Sequence, residues 1–453
     1  MQAIMELDAV RLPEARALFG EARRLIAESD VDPTLRENYQ LDIDSLLAEA
    51  KILDGQPEIG LPEMLEIARR ARDARMESTG VTAYRVAADV AFRVMEHGQS
   101  RVGIEEGIRY ADEIQQSYCR HVLAATSALV AWADGRWDEA VAAAELELVQ
   151  RGSRRGTMGS RAALAFVAFG RGEVDRARTL LDACLAVGRP SGEVDLVLPP
   201  LWGLAETALV AGDPGRALDH CWEAVELAAP SGERAHLVPF VVTAVRAALA
   251  DRRPEAAERW LVGVRPLIEG WAIAAPALDH AEGLLRLSTG ATVAARSALE
   301  RAVAGWDARV RAWEATWARL DLAACLLRAG RYAAALPILG AARDTAAGLR
   351  SQPLLTRVAE LERAARGRGA EQEPWHPLTV REFEVARHIA AGLTNTAIAE
   401  ALFVSPKTVS AHVEHILAKL GVTRRTEIAA WATAVAGRPA AAERTDGGLR
   451  VGG

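Results

Sequence analysis

Lys407, Thr408, Ser410, Ala411, His412, His415 and Lys419 lie within one short run near the C-terminus, "SPKTVSAHVEHILAKLG". Thr408, His412, His415 and Lys419 recur at intervals of four, three and four residues, so a helix would carry them as one stripe. Lys407, Ser410 and Ala411 lie beside that stripe, and Val409, Val413, Ile416, Leu417 and Leu420 form an apolar stripe opposite. Ammonium, hydroxyl and imidazole groups on one helix face suit hydrogen bonding to phosphate oxygens and base edges in a DNA groove. They do not make a catalytic set. His412 and His415 have no third ligand nearby, so no metal is expected there. The same run holds two of the only three lysines in the chain, the third being Lys51; the remaining basic residues are all arginine.

The flanking sequence supplies elements that would hold this stripe in place. Ser405 is a helix cap, Pro406 fits the first turn, and Gly421 ends the helix. Upstream, Thr379 and Glu382 form a T-x-x-E capping box before a helix with Phe383, Ala386, Ile389 and Ala390 on one face. Gly392 ends that helix. Thr394 or Asn395 caps a second one, which buries Ile398, Ala399 and Leu402. The turn is Phe403 and Val404, and Thr423 is expected to cap a fourth helix running to about Ala436. Two short helices joined by a tight turn, the second well capped, are the pattern of a helix-turn-helix.

The stretch "LTVREFEVARHIAAGLTNTAIAEALFVSPKTVSAHVEHILAKLGVTRRTEIAAWA" resembles the LuxR/GerE-type helix-turn-helix domain. It follows LTxRExEV, a Gly, then TNxxIAxxLxVSxxTVxxHVxxIxxKLGVxxRT. The resemblance implies a four-helix module whose third helix reads double-stranded DNA and whose fourth contributes to dimerisation. It implies groove or backbone contacts from Lys407, Thr408 and His412, with Ser410, Ala411 and His415 on the same outer face. It further implies phosphate contacts from Asn395 and Lys419, with Arg424 and Arg425 opening the fourth helix. Thr396 and Ser410 stand where the family often has a basic residue. From 374 to 436 there are six Lys/Arg against five Asp/Glu. So small an excess suggests weak binding by one module and a homodimer on a symmetric site.

The rest of the chain repeats. An alanine-rich run, a Gly or Asp, polar residues and then Ala five positions on appear at Gly135/Ala140, Gly172/Ala177, Gly212/Ala217, Asp251/Ala256, Gly290/Ala295 and Gly330/Ala335. Weaker copies fall at Gly55 and Gly98. Gly stops one helix in the left-handed conformation, and the Ala lets the next approach closely. Each unit is a helix pair unable to bury its apolar face alone, so about eight pairs should stack into a superhelix. The period exceeds the 34 residues of a tetratricopeptide repeat. Trp313 and Trp317, four residues apart, are expected to share a packing face, with ligand stacking as the rarer alternative.

The expected fold is all-α: a tetratricopeptide-like helical-repeat superhelix (1–365), a linker (366–377), a four-helix LuxR-type helix-turn-helix domain (378–436) and a disordered tail (437–453). Cys119, Cys184, Cys221 and Cys325 are widely spaced and expected to be buried thiols in a reducing cytoplasm. No apolar run suits a membrane span, and "MQAIMELDAV" lacks the basic start of a signal peptide. Repeats ahead of such a domain resemble the C-terminal part of the large ATP-binding LuxR-type regulators. No GxxxxGK[ST] occurs, so neither ATP binding nor any other cofactor is expected. No HExxH, GxSxG or paired Cys/His points to an enzyme. The expected function is a cytoplasmic bacterial transcription regulator whose repeat array senses a small-molecule inducer or a protein partner. The alternative is a repeat adaptor that the DNA-binding module merely localises.

Overall fold

Left-handed residues punctuate the array almost every twenty positions: Gly55, Arg75, Met95, Gln115 and Gly135, then Gly172, Gly192, Gly212, Gly232, Arg252, Gly270, Gly290, Val310, Gly330 and Arg350. Most of these turns close in the same way. Gly135 N–H donates to Trp132 at 3.0 Å and Arg136 N–H to Ala131 at 2.8 Å, and Met95 and Glu96 do the same to Phe92 and Ala91. The pair of bonds stops a helix after about five turns and satisfies two carbonyls that would otherwise be orphaned.

The computed structural model describes residues 12–150, 152–370 and 377–436. Two units divide near residue 362. The first contains α1 (Leu12–Glu28), α2 (Pro33–Leu53), α3 (Pro57–Asp73), α4 (Glu77–Arg93), α5 (His97–Glu113), α6 (Ser117–Ala133), α7 (Trp137–Val149), α8 (Arg154–Arg171) and α9 (Val174–Ser191). It continues through α10 (Val194–Val210), α11 (Pro214–Ser231), α12 (Val238–Ala250), α13 (Pro254–Ile268), α14 (Ala275–Ser288), α15 (Thr292–Ala308), α16 (Ala312–Arg328) and α17 (Tyr332–Leu349) to α18 (Gln352–Ala370), within which the division falls. From α2 to α17 these make eight helix pairs, flanked by α1 and α18. No strand occurs among the described residues.

Three sequence expectations need correction. Gly98 lies inside α5, and the left-handed residue of that turn is Met95. At the fourth strong copy the left-handed residue is Arg252, not Asp251. The 6→1 and 5→2 hydrogen bonds impose this conformation on non-glycine side chains as well. The expected linker from 366 is helical as far as Ala370, because each Gly in "RGRGA" costs a helix only about 1 kcal/mol relative to Ala. Residues 371–376 and the expected tail 437–453 lie outside the described residues.

The six predicted alanines, Ala140 to Ala335, are all buried. Outer helices bury a single stripe; in α9 this is Ala177, Leu181, Cys184, Leu185 and Gly188. Inner helices are buried almost all round, as in α10 from Leu196 to Leu198 and from Pro200 to Ala208. This follows from the superhelix closing on itself. Arg234 donates to the Leu53 carbonyl at 3.0 Å, Ser351 to Gly170 at 2.6 Å, and Arg350 pairs with Asp138, although these partners lie roughly two hundred positions apart.

Aromatic rings fill the axis. Trp202 packs on Trp132, Phe166 and Phe169 at 5.6, 5.2 and 5.7 Å, and Phe169 meets Trp313 at 5.5 Å. Trp313 and Trp317 form an edge-on pair, with Arg246 over the Trp317 ring, so both are packing residues. All four cysteines are buried and free, and burial pushes the Cys184 thiol up to about 12. Among the described residues no helix is long and apolar enough to cross a membrane.

One carboxyl joins this axis. Glu206 accepts from Thr243 at 2.5 Å and from the Trp313 indole at 3.1 Å, while Trp202 donates to Thr243 at 3.0 Å. Burial raises its pKa above the usual glutamate value, against the opposing effect of these donors. The unfolded chain therefore ionises first. Stability from this group is present at low pH and is lost as pH rises through the folded-state value. Glu206→Gln retains one oxygen to accept from the Trp313 indole and turns its amide to donate to Thr243, whose hydroxyl then donates to the Pro239 carbonyl; it should melt at or above the wild type at neutral pH, with a flatter profile between mildly acidic and neutral pH. Glu206→Ala strands the donors and should cost about 2–4 kcal/mol. A clearly lower melting temperature for Glu206→Gln at neutral pH would show that the ionised form is the stabilising one.

Candidate nucleic-acid interface

The second unit contains α19 (Val380–Ala390), α20 (Asn395–Leu402), α21 (Pro406–Leu420) and α22 (Arg425–Ala436). Thr379 and Glu382 make the expected capping box, with reciprocal bonds of 3.2 and 2.8 Å. Thr394, rather than Asn395, caps α20 by accepting from Ala397 N–H. Ser405 caps α21 by accepting from Thr408 N–H at 3.1 Å, with Pro406 in the first turn and Gly421 left-handed at the end. The α20–α21 turn runs through Phe403, a left-handed residue whose side chain is 96% exposed.

Val385, Ala386, Ile389, Ile398, Ala399, Val409, Ile416, Ile428 and Ala432 form the core, edged by Val413, Leu417 and Leu420. On α19 the buried face is shifted from the expected one. Val385 is buried and Ala390 exposed, because i, i+3, i+4 spacing from Glu382 selects Val385, Ala386 and Ile389. The start of α22 also differs. In place of a Thr423 side-chain cap, Glu427 reaches back and accepts from the backbone N–H groups of Thr423 and Arg424 at 2.9 and 2.8 Å.

The outer face of α21 presents Lys407, Thr408, Ser410, Ala411 and His415 as exposed residues, with His412 half-buried. Lys407 and His415 have no hydrogen-bond or ion-pair partner among the described residues. The Thr408 hydroxyl lies 2.8 Å from that of Ser405. Asn395 donates to Ser410 at 3.1 Å and accepts from Arg425 at 2.8 Å, and Arg425 also donates to the Leu393 carbonyl at 2.6 Å. Asn395 and Arg425 therefore tie α20, α21 and α22 together. Arg424 is exposed, with a side chain that makes no such bond among the described residues.

Lys419, expected at phosphate, has a partner within the module. Its ammonium donates to the nearly buried Glu382 carboxylate at 2.6 Å, joining the end of α21 to the start of α19. Burial would raise the Glu382 pKa; the Lys419 and Thr379 hydrogen bonds outweigh it and hold the carboxyl below its usual range. The stability from this pair is present above the ordinary glutamate value and lost as pH falls through the lowered one. Motif reading overlooked Arg381, which donates to the Leu402 carbonyl at 2.6 Å and to Glu384 at 2.7 Å, and so fixes the α20–α21 turn from below. The signal was present as the Arg of LTxRE.

Residues 376–432 match the family described as bacterial regulatory proteins, luxR family. Over 68 residues the chain is 46% identical to the HTH-type transcriptional regulator Mb0914c of Mycobacterium bovis, covering 14% of this chain and 8% of that one. Over another 68 it is 43% identical to the DNA-binding transcriptional activator DevR/DosR of Mycobacterium tuberculosis, covering 15% and 31%. It is 44% identical over 57 residues to the nitrate/nitrite response regulator NarP of Escherichia coli, covering 13% and 26%. The matched segment thus spans less than a third of each of these relatives. A Rap protein complexed with competence and sporulation factor superposes with a TM-score of 0.56 over 80% of this chain and 97% of its own, at 12% identity, which is a likeness of fold.

Lys419→Met should lower the melting temperature by stranding Glu382, at a cost of about 1–3 kcal/mol, and leave the salt dependence of DNA binding unchanged. Thermal unfolding and a salt titration together check this. An unchanged melting temperature with a shallower salt slope would put Lys419 on phosphate. The helix geometry, the capping pattern and the family match agree: residues 376–432 are a LuxR-family helix-turn-helix DNA-binding domain, carried by an all-α chain behind a helical-repeat array.

Proposed function

We propose that this chain is a cytoplasmic, sequence-specific transcriptional regulator that binds promoter DNA as a homodimer. Its repeat array senses a small molecule or a protein partner. The observation that carries the reading is the outer face of α21: an unpartnered Lys407 at its first turn, beside exposed Thr408, Ala411 and His415, on a helix braced by three others. The N-terminal end of such a helix enters a major groove, where Lys407 meets a phosphate and its neighbours meet base edges. Asn395, Ser410 and Arg425 position the helix, Arg424 offers a second phosphate contact, and His412 sits at the groove edge. The matched relatives are named as regulators, which supports the absence of a catalytic role. A change of state in the array shifts the population of paired modules competent to bind.

Lys407→Ala tests this directly. DNA sites are first selected from a random pool by the full-length chain. On those sites the variant should bind more weakly, and its slope of log K against log salt should be shallower by about one. Failure of the full-length chain to select any DNA at low salt would overturn the regulator reading. An unchanged slope together with an unchanged site preference would remove Lys407 from the interface.

A further inference from the structure

The lumen of the array holds a cavity of ≈ 140 Å³. Phe92, Leu129, Trp132, Met158, Phe166 and Trp202 line one side of it. The Trp132, Phe166 and Trp202 rings pack on one another at 4.9, 5.2 and 5.6 Å, so this apolar wall is preformed. Asp89 and Arg93 of α4, Arg155 of α8, Asp195 of α10, His236 and Arg311 supply the ionisable groups of the lining.

Each of these groups already has an acid–base partner. Arg93 lies 3.1 Å from Asp89 and 3.7 Å from Glu233. Arg155 donates to Asp195 at 2.7 Å and to Glu193 at 2.8 Å. Arg311 is held by Glu314. His236 Nδ1 lies 3.5 Å from Glu233, which also accepts from the His236 backbone N–H at 3.2 Å. Glu233 keeps a partner in either protonation state of His236, because it also faces Arg93. Burial would raise the Asp89 carboxyl; Arg93 and Arg155 outweigh it and hold it below its usual range.

A charged head group of either sign would have to displace one member of a pair, or lie desolvated without a counter-charge. A neutral body leaves the pairs intact and gains the aromatic wall. Size limits that body. The volume is close to that of a cavity of about 150 Å³ that takes up benzene, and below the roughly 300–1,000 Å³ of sites for larger ligands. A peptide or a fused-ring molecule therefore does not fit. We propose that the cavity binds an uncharged molecule of a single ring, its apolar edge against Phe92, Phe166 and Trp202. Any polar atom it carries is uncharged and directed to the paired side. This rests on the reading of the array as a sensor and narrows its ligand to a small neutral molecule. The walls come from α4, α6, α8 and α10, one helix from each of four successive pairs, and Arg311 lies 5.0 Å over the Trp132 ring. An occupant thus touches all of these pairs at once and couples the rotation between them.

The test titrates the full-length chain at neutral pH with benzyl alcohol, benzylamine, benzoate and naphthylmethanol, following tryptophan emission and calorimetric heat. Benzyl alcohol should bind about tenfold or more tightly than the cationic benzylamine, the anionic benzoate and the oversized naphthylmethanol. Ala162→Leu, which fills the cavity, should abolish that binding. Should Ala162→Leu fail to fold, the order of the four probes on the unaltered chain decides by itself. No benzyl alcohol binding at millimolar concentration, or equal or tighter binding of any of the other three probes, would overturn the assignment. So would benzyl alcohol binding that is indifferent to a folded Ala162→Leu. A chain that selects DNA but shows no preference for the neutral single ring overturns the cavity assignment alone. One that prefers benzyl alcohol but selects no DNA overturns the regulator reading and leaves the cavity assigned.

Discussion

At most turns of the array, a hydrogen bond from the residue after the left-handed position to a carbonyl five residues earlier sets the length of the helices. It stops them after about seventeen residues, near 25 Å. Helices of similar length stack with small steps, so the rotation between pairs accumulates along the array. After roughly five pairs the inner helices meet helices from the start of the turn. This contact places Ser351 on the Gly170 carbonyl and Arg234 on that of Leu53. An open superhelix would leave a concave face of Trp, Phe and Leu in water. The closed one removes that face from solvent, which is why α8, α10 and α16 tolerate apolar residues on every side.

Closure also buries charge, and the chain resolves this locally. Arg246 lies between Asp321 and the Trp317 ring, and His280 meets the same carboxylate at 2.9 Å. Arg311 is held by Glu314. Each arginine spends its guanidinium on a carboxylate and its flat face on an indole, so desolvation is offset twice. The same kind of pairing, Arg93 with Asp89 and Arg155 with Asp195, borders an open cavity in the lumen.

Much of the fold could be read from the sequence because its main signals are local. Ala140, Ala177 and their equivalents had to be small, and the 39-residue step follows from two helices and two turns. Only turns that use glycine announce themselves. Met95, Gln115, Arg252 and Val310 adopt the same left-handed geometry under the same local backbone hydrogen bonds, and no residue type marks them. The closure of the superhelix was not legible, because it joins residues about two hundred positions apart. In the C-terminal module, caps and apolar stripes were visible, whereas partner choice was not. Nothing in the spacing of Lys419 and Glu382 shows that the lysine would pair with a carboxylate on another helix.

That partner choice explains how little positive charge the module has to spend. Of its six basic residues, Lys419 is held by Glu382, Arg381 by Glu384 and the Leu402 carbonyl, and Arg425 by Asn395 and the Leu393 carbonyl. Lys407, Arg424 and the exposed Arg387 have no such partner among the described residues, so under the proposed reading one module has on the order of three free cations to offer. Such a contribution gives weak, strongly salt-dependent attachment. Two modules on one symmetric site double the charge and make the second contact intramolecular, which raises affinity by far more than a factor of two. The internal pairs therefore exchange electrostatic reach for a rigid recognition helix. Under the proposed function this places the requirement for affinity on pairing, the step at which a sensing array would act.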